Sequence, residues 1–194
     1  MSKYVKVKER YKIRYPVMCI DPGLTNTGYL TADEIGGKVV ISETNVKHVS
    51  SKIGETGLIK ANRIIDTLRD TMQAHSVRTV IVEGQFVGKH PQSVIKLVKF
   101  SGRIEQITVD QGANLIRIQP GAWQGALGVR KVIVPTKPII TLKKRQHQWY
   151  AKNVAWKELG SGVLARKNLT QDEADAMCIF YYVWREIKNE TLGI

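Results

Sequence analysis

Residues 17–28 read VMCIDPGLTNTG, and this stretch sets the fold. Val17, Met18, Cys19 and Ile20 form an unbroken apolar run that ends in an acid, Asp21. Pro16 precedes the run and Pro22-Gly23 follow it, so it reads as a short buried strand running into a turn. Residues 79–84, TVIVEG, have the same form and end in Glu83. Continuous apolar runs mark parallel strands covered on both faces. In open α/β sheets, ligands bind beyond the carboxyl ends of such strands. Asp21 and Glu83 therefore stand where a site belongs, side by side if the two strands are neighbours. Taken singly, Asp before Pro-Gly is also an ordinary turn signal.

Outward from this pair, GYLTAD and KVVISE predict two more strands, joined at the hairpin signal Gly36-Gly37. The opening is an antiparallel three-strand meander. Leu58, Ile59, Ala61, Ile64, Ile65, Leu68 and Met72 recur at helical spacing over 58–74. Pro91 opens a second helix to about 109. NLIRIQ reads as a strand, PGAWQGALG as a short helix or turn, and VIVPTKPII as a loop or arm. Residues 141–159 predict a helix with Leu142, Trp149 and Trp156 along one side. Thr170 and Glu173 fit a capping box that opens a last helix to about 188. The expectation is an α/β fold: a five-stranded mixed sheet, its first three strands antiparallel, flanked by helices. A single domain over 17–190 follows a basic extension, 1–16.

The 194 residues are 43% hydrophobic, enough for one real core. Thirty Lys+Arg against 17 Asp+Glu leave a net charge of +13, which predicts a polyanionic partner, nucleic acid first. No apolar run nears the roughly 18 residues that span a bilayer, so no membrane partner is expected. The N-terminus lacks the apolar core of a secretory signal. Cys19 and Cys178 sit in apolar stretches and read as buried free thiols in a reducing compartment. The expected location is the cytoplasm, bacterial or that of an infected host.

The last helix adds acids. LTQDEADAM puts Asp172 and Asp175 on one helical face, with Glu173 turned away to cap through Thr170. The helix macrodipole accounts for Asp172 but poorly for Asp175, which stands among Ala174, Ala176 and Met177. Clustered carboxylates repel one another and a phosphate substrate. A divalent cation resolves both conflicts. Oxygen ligands without a His or Cys cluster favour Mg²⁺, with Mn²⁺ as substitute, over zinc. Two ions together activate water and stabilise the leaving oxygen of a phosphodiester.

IDPGLTNTG, VIVEGQF and DEADA, in this order, resemble the motifs of the Holliday-junction resolvase (RuvC) family. The resemblance implies a ribonuclease H-like fold. Asp21 matches the first-strand aspartate, Glu83 the fourth-strand glutamate, and Asp172 with Asp175 the acidic pair of the final helix. These four become the expected catalytic and metal-binding residues, holding two Mg²⁺ ions. It further implies a homodimer that cuts four-way junctions and other branched DNA, in recombination and repair or in phage genome processing, with no nucleotide cofactor. Phe86 matches an aromatic that stacks at the junction. Lys89, Lys96, Lys99 and Arg103, and the cluster Lys143, Lys144 and Arg145, are the expected DNA contacts; each reads equally as a solvated face. His147 reads as a surface histidine or an assistant to the chemistry. The basic extension and the proline-containing insertion at 131–139 depart from the family pattern.

Other readings stay open. A ribonuclease H-like nuclease for RNA–DNA hybrids or flaps would carry the same carboxylates. DPGLTNTG also resembles the phosphate loop of actin-like ATPases, but no second such loop occurs here. A non-catalytic DNA-binding module would not need all four acids.

Overall fold

The computed structural model describes residues 12–48, 57–84, 91–128, 142–159 and 169–192. Its strands are β1 (Val17–Asp21), β2 (Asn26–Ile35), β3 (Lys38–His48), β4 (Thr79–Glu83) and β5 (Asn114–Ile118). They form one mixed sheet in the order β3-β2-β1-β4-β5. The meander β1-β2-β3 is antiparallel, and β4 and β5 continue parallel to β1. Gly36 and Gly37 turn the β2–β3 hairpin at φ +59° and +74°, the left-handed region that a tight hairpin needs. Predicted strand order in sequence and expected sheet type are both observed.

Six helices and one π-helical turn are described: α1 (Gly57–Ala74), α2 (Pro91–Asp110), α3 (Pro120–Leu127), α4 (Leu142–Tyr150), the π turn Ala151–Ala155, α5 (Trp156–Leu159) and α6 (Gln171–Leu192). PGAWQGALG resolves as the helix α3, closed by Gly128 in the left-handed region. The segment expected as one helix over 141–159 is interrupted by the π turn. Asn153 donates its side-chain amide to the Trp149 carbonyl at 2.9 Å, competing with the regular ladder there. The 131–139 insertion lies outside the described residues, as do residues 1–11.

Strand alternation divides the core into two layers. Met18, Ile20, Val80 and Val82 face α1 and α2, packing with Ile64, Leu68, Phe100 and Ile104. Val17, Cys19 and Ile81 face the other way, onto Trp123 of α3 and Met177 and Phe180 of α6. Asp21 and Glu83 continue this second parity, so both carboxylates emerge on the α6 side of the sheet. Both cysteines are buried and free, as expected. Ile13 and Tyr15 also pack on the α6 layer, and Arg14 exchanges two hydrogen bonds with the Thr79 hydroxyl. Among the described residues no helix is long and apolar enough to cross a membrane.

Gly28 fixes how closely α6 approaches. It pairs with Asp21 across the β1–β2 ladder. A Cβ there would lie 2.1 Å from the Asp172 carbonyl oxygen. Only glycine lets the first turn of α6 rest against β2 at this point. Gly28→Ala should destabilise the fold by about 1–3 kcal/mol, the usual range for overpacking. Urea denaturation measures it; an unchanged midpoint would mean that α6 shifts aside at no cost.

Candidate metal centre

Parallel pairing matches Ile20 with Val82, which brings Asp21 and Glu83 side by side at the strand ends. Burial pushes the Asp21 carboxyl well above the usual carboxylate range, and the charges of Glu83, Asp175 and Asp172 push it further. Burial also raises Glu83, partly opposed by the hydrogen bond from Trp123. Asp21 and Glu83 are hydrogen-bonded to each other. The structure thus brings all four predicted carboxylates into one electrostatic group, from β1, β4 and the first turns of α6.

Two of the other carboxylates, Glu83 and Asp175, have holders. Trp123 Nε1 donates to Glu83 Oε1 at 2.8 Å. His147 Nδ1 lies 2.5 Å from Asp175 Oδ1, and Gln171 Nε2 donates to the same oxygen at 2.8 Å. The Trp123 and His147 rings meet edge-on, with centroids 5.2 Å apart. Glu173 is turned into the core, 1% exposed. Its Oε2 accepts from the Thr170 backbone N–H and hydroxyl, and its Oε1 accepts from Thr44. The capping role read from LTQDE holds, with a buried cross-link to β3 added.

Of the two readings of His147, the surface one is excluded. His147 is not a surface histidine: its side chain is 12% exposed and lies against Asp175 and Trp123. The neighbouring lysines gave it the look of a solvated face, but α4 packs against α6 along this edge. Trp123, Gln171 and Thr44 were not singled out in the sequence. The one signal was a tryptophan among the small residues of PGAWQGAL. Lys96, Lys99 and Arg103 are brought together with Lys60 around a cavity of about 430 Å³ between α1 and α2. Phe86 and Lys89 lie outside the described residues. Lys143, Lys144 and Arg145 fall on the first turn of α4.

Among the described residues, no three His, Cys, Asp or Glu side chains already converge on one point as a metal cage. The donor chemistry nevertheless fits a hard divalent cation: four carboxylates in one electrostatic group, Asp21 and Glu83 raised by burial, with oxygen atoms only.

The family model described as "Crossover junction endodeoxyribonuclease RuvC" matches residues 17–134. The chain belongs to the RuvC family. Members of this family are divalent-metal-dependent nucleases. The RuvC of Aliarcobacter butzleri is 26% identical over 104 residues, 54% of this chain and 66% of that relative. The chain thus spans just under two thirds of that relative's length. The RuvC of a Nitratiruptor species is 28% identical over 143 residues, 66% of this chain and 83% of the relative. Thermus thermophilus RuvC, solved in complex with a Holliday junction substrate, superposes with a TM-score of 0.64 at 17% identity, covering 89% of this chain and 94% of that one. The fold is therefore the ribonuclease H-like fold of this family.

The raised carboxyls have a thermodynamic sign. Between the ordinary carboxylate range and the raised value, the folded state binds more protons than the unfolded state. Stability therefore falls as pH rises through that window, and the full penalty stands above it. Asp21→Asn should stabilise the metal-free protein at neutral pH by roughly 1 kcal/mol or more. The gain should shrink as pH falls toward about 4, where the unfolded carboxylate also titrates. Thermal melts in chelator at both pH values test this; equal melting of the two proteins at neutral pH would count against a strained carboxylate group.

Proposed function

We propose that this chain is an endonuclease that cuts four-way and other branched DNA, using two Mg²⁺ ions held by Asp21, Glu83, Asp172 and Asp175. The observation that carries the reading is the buried, mutually repelling carboxylate group at the carboxyl ends of β1 and β4. Carboxylates kept together at such a cost make sense when a cation repays it. When bound, the ions supply activation of water and charge neutralisation at the leaving oxygen. The chain's own residues do the rest. Trp123 and His147 hold two of the ligands in orientation. Gly28 lets the backbone at Asp172 reach the sheet.

Cations complement this centre for a phosphate backbone. Leu24, three residues past Asp21, shares the 430 Å³ cavity with Lys60, Lys96, Lys99 and Arg103. Their position at the same end of the sheet supports a path for one strand beside the metal centre. Phe86, Lys89, Lys143, Lys144 and Arg145 complete the proposed contacts. Residues 17–190 act as one nuclease domain behind the basic 1–16 extension. Ile95 and Val98 leave an apolar stripe on α2, 53% and 52% exposed, which supports a homodimer. Buried free thiols and a DNA substrate fit the cytoplasm.

The test is cleavage of four-way, flap, linear and RNA–DNA hybrid substrates with Mg²⁺ or Mn²⁺. Four-way and flap DNA should be cut, and Asp21→Asn should lose at least about a hundredfold in rate while still binding. Dominant hybrid cutting would favour the other ribonuclease H-like reading. Affinity should fall steeply between low and moderate salt, as phosphate contacts release counterions. Lys60→Ala with Lys96→Ala should flatten that slope by roughly two counterions.

A further inference from the structure

Trp123 does more in this position than fill the core. The indole is 1% exposed and has a single donor, Nε1–H. That donor goes to Glu83, a residue 40 positions earlier on a different element. Packing fixes the ring from both sides. Met177 and Phe180 belong to the same apolar layer, and the His147 ring meets its edge. His147 in turn lies on Asp175. Two rings from α3 and α4 therefore touch each other, and each touches one carboxylate of the candidate metal centre.

We infer that Trp123 is a positioning residue for metal binding, bracing Glu83 through its indole N–H, with His147 backing it on the Asp175 side. This rests on the metal-centre reading proposed above. The physical reason is preorganisation. Glu has three rotatable side-chain bonds, and a free carboxylate must give up that freedom to bind an ion. An N–H bond to Oε1 fixes the carboxylate plane. Groups in this relation to metal ligands are commonly worth 10–100-fold in affinity.

The experiment measures Mn²⁺ affinity without DNA, by calorimetry or electron paramagnetic resonance, on the full chain. Trp123→Phe keeps an aromatic ring in the layer and removes the N–H together with the five-membered half of the indole, a truncation that the Trp149→Phe control shares. It should bind Mn²⁺ about tenfold more weakly than the parent. Trp149→Phe, in the same apolar layer but with no bond to a carboxylate, should bind as the parent does. An affinity for Trp123→Phe within twofold of the parent overturns the inference, as does equal weakening in Trp149→Phe. Mn²⁺ binding that is indifferent to Asp21→Asn would instead defeat the metal-centre reading itself. A measurement on the unsubstituted protein guards against misfolded variants. The Trp123 indole N–H resonance should shift on Mg²⁺ titration, and an unmoved resonance at saturation overturns the inference.

Discussion

Like charge gathered at the end of a parallel strand pair is the constraint around which the structure is arranged. Asp21 and Glu83 are neighbours because β1 and β4 run parallel in matched register. They face the same side because both follow the odd-numbered parity of their strands. The Trp123 hydrogen bond and the bond between the two acids offset only part of the burial of Glu83. Burial and the two α6 aspartates push the Asp21 carboxyl up. The fold bears a local conflict at its carboxyl edge and must hold it in place with stability gained elsewhere. The apolar runs of β1 and β4, covered on both faces, are the part of the molecule best able to do so.

The holding groups show how the conflict is kept ordered. An unrestrained pair of carboxylates would swing apart into solvent. Trp123 prevents this for Glu83, and His147 with Gln171 does so for Asp175. The helix that carries Asp172 and Asp175 is itself pinned by Gly28 beneath it and by the Glu173 cap at its start. That cap also reaches Thr44 of β3, so the first turn of α6 is tied to the sheet from two strands. Geometry at the site therefore depends on residues that carry no reactive chemistry.

This division explains what was legible in the sequence. The strands announced themselves because VMCID and TVIVE are short apolar runs bounded by turn residues, a local pattern. The pairing of their acids followed from parity and adjacency alone. Asp175 stood out because it interrupts a small apolar face. By contrast, Trp123 and His147 meet their carboxylates across 40 and 28 residues of chain. No local periodicity encodes such a contact, and the basic neighbours of His147 left it open between a surface side chain and an assistant to the chemistry. Glu173 lay between: its cap is a local motif and was readable, while its bond to Thr44 was not. The interruption of the 141–159 helix escaped because it coincides with a single side-chain bond, from Asn153 to the Trp149 carbonyl, that no local pattern announces.

Charge of the opposite sign is distributed with equal economy. The chain carries a net +13, yet its described basic cluster, Lys60, Lys96, Lys99 and Arg103, sits on the α1–α2 side of the sheet, away from the α6 layer. Had these cations been placed among the carboxylates, they would have formed ion pairs and drawn the carboxyls toward their usual range. The two sets of charge instead stand on opposite faces of the sheet. The sheet is the separator: one layer thick, apolar through β1 and β4, it divides the two sets while its carboxyl edge lets both be reached from the same side. On the function proposed above, a nucleic-acid backbone laid along that edge would meet cations on one flank and the carboxylate group on the other, the order of contacts that metal-assisted cleavage of a phosphodiester requires.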